Sequence, residues 1–296
     1  MAGRPVAGRP SRPSHPGPRL LAWAAMDLNF PHEPTEEVVA QFERDGHITL
    51  RRLLDPLELE ILEPGLSAAV HRSDPNAEIP WDEKSTYDRA FIQVGDLHRF
   101  SPDARQLAFS RRLASVAAAL LRVPTIRLYH DQALFKLPSQ GDGGHTPWHV
   151  DQYYWPLASD RCITAWIPLV HVPEDMGPLT FASGSHRLEA GRELEISDES
   201  EARCDRALAE GGYTRASEPF ELGDVSFHLG WTYHSAPPNR SDAERKVMTV
   251  IYMDGEMRVS EPANDHQRDD LRKWLPGLAP GDRAASEANP QLWPTD

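Results

Sequence analysis

From Thr125 onwards the chain is cut into short segments rich in β-branched and aromatic residues, with Gly and Pro between them. Candidate strands are Ile126–Leu137, Trp148–Tyr153, Thr164–Leu169, Leu179–Phe181, Pro219–Leu222, Asp224–His228 and Lys246–Met253. Segments this short cannot bury themselves singly. With turn residues between them they predict paired antiparallel sheets, a sandwich or barrel. Helices precede this region. Pro34-Thr35 opens one that carries Val38, Val39 and Phe42, and Gly46 closes it. His47–Leu53 reads as a strand. Asp55-Pro56 starts a second helix through Leu57, Ile61 and Leu62, with a stop expected at Pro64. A third covers Ser110–Arg122. The class is mainly β, of the α+β kind.

A chain of 296 residues suffices for one large domain with a sizeable core. Forty-five acidic against 31 basic residues give a net charge of -14, which disfavours nucleic acid as a partner. No apolar run approaches the roughly 18 residues of a membrane span. Two cysteines, Cys162 and Cys204, exclude a disulfide framework and fit a reducing compartment. Residues 1–25 hold Arg4, Arg9, Arg12 and Arg19 but no acid. Their five prolines forbid the amphipathic helix of a transit peptide. A disordered tail, or a start upstream of Met26, is expected there, and the cytoplasm is the expected address. Residues 26–260 form the expected domain, with an acidic surface insertion near 189–211. Residues 261–296 are polar and Pro-rich, with isolated Trp274 and Trp293.

Among thirteen histidines, position decides which carry chemistry. His149 and Asp151 lie two apart in Thr146-Pro147-Trp148-His149-Val150-Asp151, so on a strand they project from one face. His234, in Gly230-Trp231-Thr232-Tyr233-His234, is the best third ligand, aimed inward from a loop. Two imidazoles and one carboxylate leave three coordination positions open, a set that suits non-haem Fe(II) and oxygen chemistry. No HExxH helix is present, but Zn(II) hydrolysis remains an alternative on the same donors. Arg245 can bind a carboxylate in bidentate fashion, and Arg240 and Lys246 compete for that role.

Five blocks in order resemble the phytanoyl-CoA dioxygenase family of Fe(II)/2-oxoglutarate oxygenases, which includes ectoine hydroxylase. They are Tyr129–Lys136, Trp148–Gln152, Thr164–Leu169, Gly177–His186 and His234 to Arg245. The resemblance implies a double-stranded β-helix, or jelly roll, with flanking helices. It implies Fe(II) held by His149, Asp151 and His234, with 2-oxoglutarate and O2 as co-substrates. Arg245 would pair with the distal carboxylate of 2-oxoglutarate. Gln132, Lys136 and Trp166 would line the cofactor site, and Gln132 and Lys136 alternate with Leu134 as one inward face requires. Where relatives often carry Ser two residues after the distal His, this chain has Ala236, a loss of about 1 kcal/mol if one hydrogen bond goes. Asp151 stands where related halogenases have a small residue, which argues for hydroxylation or another oxidation. Gly184-Ser185-His186 matches a structural corner of the family. His130, His145 and His171 have no argued partner, and His228 reads as a hydrogen-bonded interior residue.

The expected substrate is a small molecule. Tyr153, Tyr154 and Trp155 are candidates to wall its pocket. Arg89, Phe91 and Gln93, with Tyr87, are candidates to reach over the opening. This mixture of aromatics and Arg suggests a polar or carboxylated metabolite. A non-catalytic 2-oxoglutarate-binding module is a third reading. The oligomeric state is not legible.

Overall fold

The structure is a computed structural model describing residues 27–80, 82–84, 90–139 and 144–295. The Arg/Pro-rich segment 1–25, Tyr87 and Arg89 lie outside the described residues. Two antiparallel sheets form the core. The larger runs in the order β1 (His47–Leu50), β8 (Val225–Leu229), β5 (Cys162–Pro168), β10 (Val247–Asp254), β3 (Ile126–Lys136), β11 (Gln291–Trp293), and β2 (Phe91–Gly95) also pairs with β3. The smaller runs β4 (Thr146–His149), β9 (His234–Ala236), β6 (Thr180–Ala182), β7 (Arg215–Ser217). This is the jelly roll with flanking helices that the sequence predicted. Among the described residues, no helix is long and apolar enough to cross a membrane.

Helices cover one face of the large sheet. They are α1 (Glu36–Asp45), α2 (Pro56–Arg72), α3 (Pro102–Ala108) and α4 (Arg111–Leu121). The Thr35 side chain caps α1 at one end, and left-handed Gly46 closes it at the other. Ser110 caps α4 in the same way. Their apolar faces pack on Phe135, Ile163, Ala165, Phe227, Met248 and Val250 in one continuous core. Every residue of β5 and β10 is buried. Covered on both faces, such strands read as near-continuous apolar runs rather than alternating ones.

Pro64 does not end α2, which runs on to Arg72. Pro64 and Glu60, whose carbonyl loses its helical donor, both face solvent, while Leu59, Leu62, Leu66 and Val70 are buried. Water meets the freed carbonyl, and packing outweighs the lost bond. Pro219–Leu222 is not a strand either. The partner of β6 is β7, and Phe220 makes only a single bridge, to Val172. The acidic insertion forms α5 (Asp198–Glu210) on the outside of the small sheet, burying Cys204 and Leu208 against Trp148, Val150 and Tyr233.

The C-terminal segment is tied to the core. It forms α6 (Asp265–Trp274) and β11. The fully buried Asn289 amide donates to the carbonyls of Leu128, Tyr129 and Trp274 at 3.0–3.2 Å. This pins the end of α6 to β3.

Candidate metal centre and cofactor pocket

A β-bulge sets the inner wall of the site. The register of β3 against β10 slips between Ile251 and Tyr252, leaving Tyr129 as the extra residue. One added residue reverses which face each later side chain takes. Before it Ile126 and Leu128 face the helices. After it Ala133 and Phe135 do so, and His130, Gln132 and Leu134 face the cavity.

His149 ends β4, and β4 pairs with β9 so that His149 stands opposite His234. The strand does not run on to Tyr153, as the sequence reading had it. Asp151 opens a 3-10 turn, Asp151–Tyr153. The Gln152 backbone N–H donates to Gly230 O at 2.9 Å, fixing this turn beside the loop before β9. The turn still aims the carboxylate at both rings. Asp151 Oδ1 lies 3.6 Å from Nε2 of His149 and 3.6 Å from Nε2 of His234. All three donor atoms fall within 4.8 Å of one another.

The hydrogen bonds behind these atoms fix their chemical state. His149 Nδ1 donates to Pro147 O at 2.8 Å, and His234 Nδ1 donates to Thr232 O at 3.0 Å. A carbonyl only accepts, so both protons sit on Nδ1 and both Nε2 lone pairs face Asp151. Asp151 Oδ2 accepts from Thr164 Oγ1 at 3.0 Å and from His228 Nε2 at 3.2 Å, which leaves Oδ1 for a cation. Burial works to raise the Asp151 pKa. The carboxyl is nevertheless held well below its usual range, and His228, which donates to it, is one cause. Burial, with His149 alongside, holds the His234 pKa well below the usual imidazole value, so its ring is neutral. Neutral imidazoles oriented through Nδ1 and an ionised carboxylate oriented through its far oxygen fit a divalent metal.

The other end of the site is cationic. Lys136 and Arg245 form an antiparallel bridge, and both side chains are buried. Lys136 Nζ donates to Pro237 O at 2.7 Å and to Ala236 O at 3.3 Å, and it lies 5.0 Å from the centre of the Phe91 ring. Arg245 donates to Gly177 O, with its guanidinium 5.5 Å from the centre of Trp166. Gly177 has φ +74°, and a Cβ there would stand 2.3 Å from Pro237 O. Only glycine lets this backbone approach so closely while its carbonyl orients Arg245. Burial and the Arg245 charge push the Lys136 pKa down to about 6. A bound carboxylate relieves that cost, so the pair suits a dicarboxylic acid.

Between metal triad and cations lies a cavity of about 710 Å³. It brings together His149, Asp151, His234, Gln132, Trp166 and Arg245, with Ala236 in its wall, whereas Lys136, expected to line it, does not, because its Nζ is turned to the Pro237 and Ala236 carbonyls. Of the expected substrate residues, Tyr154, Trp155, Phe91 and Gln93 line it, and Gln93 Nε2 donates to Gln132 Oε1 at 2.8 Å. Tyr153 is a correction. It is not among the lining residues, because the 3-10 turn carries it away from the cavity, and its carbonyl accepts from Asn264 and Gln267 of the C-terminal segment. Sequence reasoning missed several contributors. His228 and Thr164 hold Asp151, while His130 from β3, Ile196 from the insertion, and Asp270 and Trp274 from α6 reach the cavity. Only His228 carried a signal, its position on the apolar strand just before the His234 loop.

A model of the family described as phytanoyl-CoA dioxygenase (PhyH) matches residues 42–247. The chain belongs to the phytanoyl-CoA dioxygenase family. This is a family of iron- and 2-oxoglutarate-dependent oxygenases. Among solved structures the family member resembles the epimerase SnoN in complex with Fe3+, alpha-ketoglutarate and nogalamycin RO. That likeness has a TM-score of 0.71 at 26% identity, covering 87% of this chain and 98% of that one. The alpha-ketoglutarate-dependent carbocyclase SnoK from nogalamycin biosynthesis has a TM-score of 0.71 at 25% identity, covering 88% and 98%. A probable alpha-ketoglutarate-dependent hypophosphite dioxygenase of Stutzerimonas stutzeri is 27% identical over 134 residues. The match spans 43% of this chain and less than half, 45%, of that protein.

Proposed function

We propose that this family member is an Fe(II)- and 2-oxoglutarate-dependent dioxygenase that oxidises, by hydroxylation, an unactivated C–H bond of a small organic molecule. The observation carrying the reading is one cavity with two opposed ends. One end holds a His-Asp-His donor set whose lone pairs converge; the other holds buried Arg245, with Lys136 bridged to it behind the wall. His149, Asp151 and His234 are the residues to hold Fe(II). Arg245, with Lys136 behind it, is the residue to take the far carboxylate of 2-oxoglutarate. With O2, these cofactors supply an oxidant strong enough for an unactivated C–H bond, and succinate and CO2 are the co-products.

The protein's own part is orientation and exclusion of water. The Nδ1 bonds to Pro147 and Thr232 stop the two imidazoles rotating, and Thr164 and His228 stop Asp151 from turning. Trp166, Phe91 and Leu134 enclose the cofactor end in apolar surface, and Tyr154 and Trp155 flank the metal end. A dry, fixed site confines the oxidant to the C–H bond placed beside it. SnoN is named an epimerase and SnoK a carbocyclase. The intact Asp151 stands against halogenation, and hydroxylation is the oxidation we propose.

The test is anaerobic addition of Fe(II) and 2-oxoglutarate to the metal-free protein. The reading expects a weak visible charge-transfer band, absent in His149→Ala and weakened in Arg245→Ala. No band from folded wild-type protein would sink it.

A further inference from the structure

The wall of the cavity formed by α6 lies outside residues 42–247, the segment the family model matches. It is built into the site rather than resting on it. Gln267 Nε2 and Asn264 Nδ2 donate to Tyr153 O at 3.0 and 3.3 Å, so α6 grips the 3-10 turn that carries Asp151. His266 reaches Glu195 at 2.9 Å, and Ile196 N–H donates to Tyr154 Oη at 3.0 Å, joining the insertion to the same wall. From β3, His130 stacks on Trp274 with ring centres 4.3 Å apart and planes 14° from parallel.

Within this aromatic wall stands one carboxyl. Asp270 lines the cavity, accepts from Tyr129 Oη at 3.4 Å and is hydrogen-bonded by the Trp274 side chain one turn on. Among the described residues it has no ion-pair partner. Lys273, the nearest candidate on the helix, also lines the cavity, but it is exposed and holds its Nζ 4.1 Å above the Trp274 ring rather than on the carboxyl. Burial raises the Asp270 pKa to about 7, against the Trp274 hydrogen bond and the Lys273 charge. Asp270 is half-buried, and an acid that lines a cavity without an ion pair persists most readily where a ligand completes it. Arg245 marks the cofactor end of the cavity, and Asp270 stands in the α6 wall. 2-Oxoglutarate is drawn to the first and repelled from the second.

Resting on the oxygenase reading, we propose that Asp270 is the specificity-determining residue and that the substrate is an amine. The protonated nitrogen pairs with Asp270 while its apolar or aromatic body lies among Trp274, Trp155 and Tyr154. The same arrangement disfavours carboxylated substrates, which would be repelled by Asp270 and would compete for Arg245.

Saturation-transfer NMR with 2-phenylethylamine, 2-phenylethanol and phenylacetate at pH 8 tests this, because it reads weak fragments and needs no turnover. It is run on the full chain, metal-free and loaded with Zn(II), as a diamagnetic stand-in, and 2-oxoglutarate. The amine is expected to bind about tenfold more tightly than the alcohol, with the acid weakest. Asp270→Asn should erase the amine preference and Asp270→Glu should keep it. Equal binding of amine and alcohol, preference for the acid, no binding of the amine, or an amine preference surviving in Asp270→Asn overturns the assignment. If Asp270→Asn does not fold, the wild-type ranking and Asp270→Glu still decide. Failure of the oxygenase reading shows elsewhere, as a missing Fe(II)/2-oxoglutarate band in wild type, while the amine ranking is read in metal-free protein.

Discussion

Replacing Lys136 by Met should make the empty protein more stable and its cofactor binding weaker. Lys136 is fully buried, with its pKa pushed down to about 6 from 10.5 by burial and by Arg245. Between those values the unfolded chain holds the proton and the folded chain does not. Wild-type stability therefore rises with pH across that window, approaching about 1.4 kcal/mol per pH unit well above pH 6. Integrated from pH 6 to pH 8, with half the folded molecules still protonated at the start, the gain is about 2 kcal/mol. Methionine has no proton to lose, so the difference between the two proteins isolates this contribution. The variant loses the bonds to Pro237 and Ala236, about 1 kcal/mol each, a loss that does not vary with pH. Urea denaturation at pH 6, 7 and 8 without 2-oxoglutarate is the assay. At an m-value of about 2 kcal/mol/M, the wild-type midpoint should climb about 1 M more than that of Lys136→Met between pH 6 and 8. Adding metal and 2-oxoglutarate should reverse the advantage, because the bound dianion restores the Lys136 charge in wild type alone. Parallel pH curves for the two proteins would refute the argument that Lys136 is held discharged until an anion arrives.

Thr164→Val removes one of the two donors on Asp151 Oδ2, and Fe(II) or Mn(II) affinity should fall about tenfold in a direct metal titration with the fold unchanged. Ala236→Ser places a hydroxyl in the cofactor wall, so 2-oxoglutarate should bind about fivefold more tightly, equivalent to about 1 kcal/mol; calorimetry reads this, and unchanged affinity would mean the hydroxyl does not reach the ligand. Asn289→Leu leaves three buried carbonyls without their shared donor. It should cost about 3 kcal/mol in denaturation and speed hydrogen exchange in α6 before the sheets.

Local signals account for what was legible in the chain. The Thr35 and Ser110 caps, left-handed Gly46 and the short strands between turns each act over a few residues. The expected α1, α4, β3, β5 and β10 accordingly appear within a few residues of their predicted bounds. Pro64 misled because its cost depends on which face of α2 meets water, and that is decided by partners elsewhere in the chain. The HxD pair was read on a strand, and the chain turns there instead. The conclusion that the two groups converge survives because a tight turn also places neighbouring side chains on one side.

Sequence alone determined the chemical inventory: two imidazoles and one carboxylate as a donor set, Arg245 and Lys136 as the available cations, and two antiparallel sheets to hold them. Tertiary structure alone decided how those groups are used. The bulge at Tyr129 turned His130, Gln132 and Leu134 inward, and pairing of β4 with β9 set His149 opposite His234. Packing brought His228 and Thr164 beneath Asp151 and carried α6 across the cavity to add Asp270 and Trp274. The reason is range. Caps, turns and alternation are properties of adjacent residues, whereas a cavity wall is assembled from segments more than a hundred residues apart, whose meeting depends on the burial of the whole core.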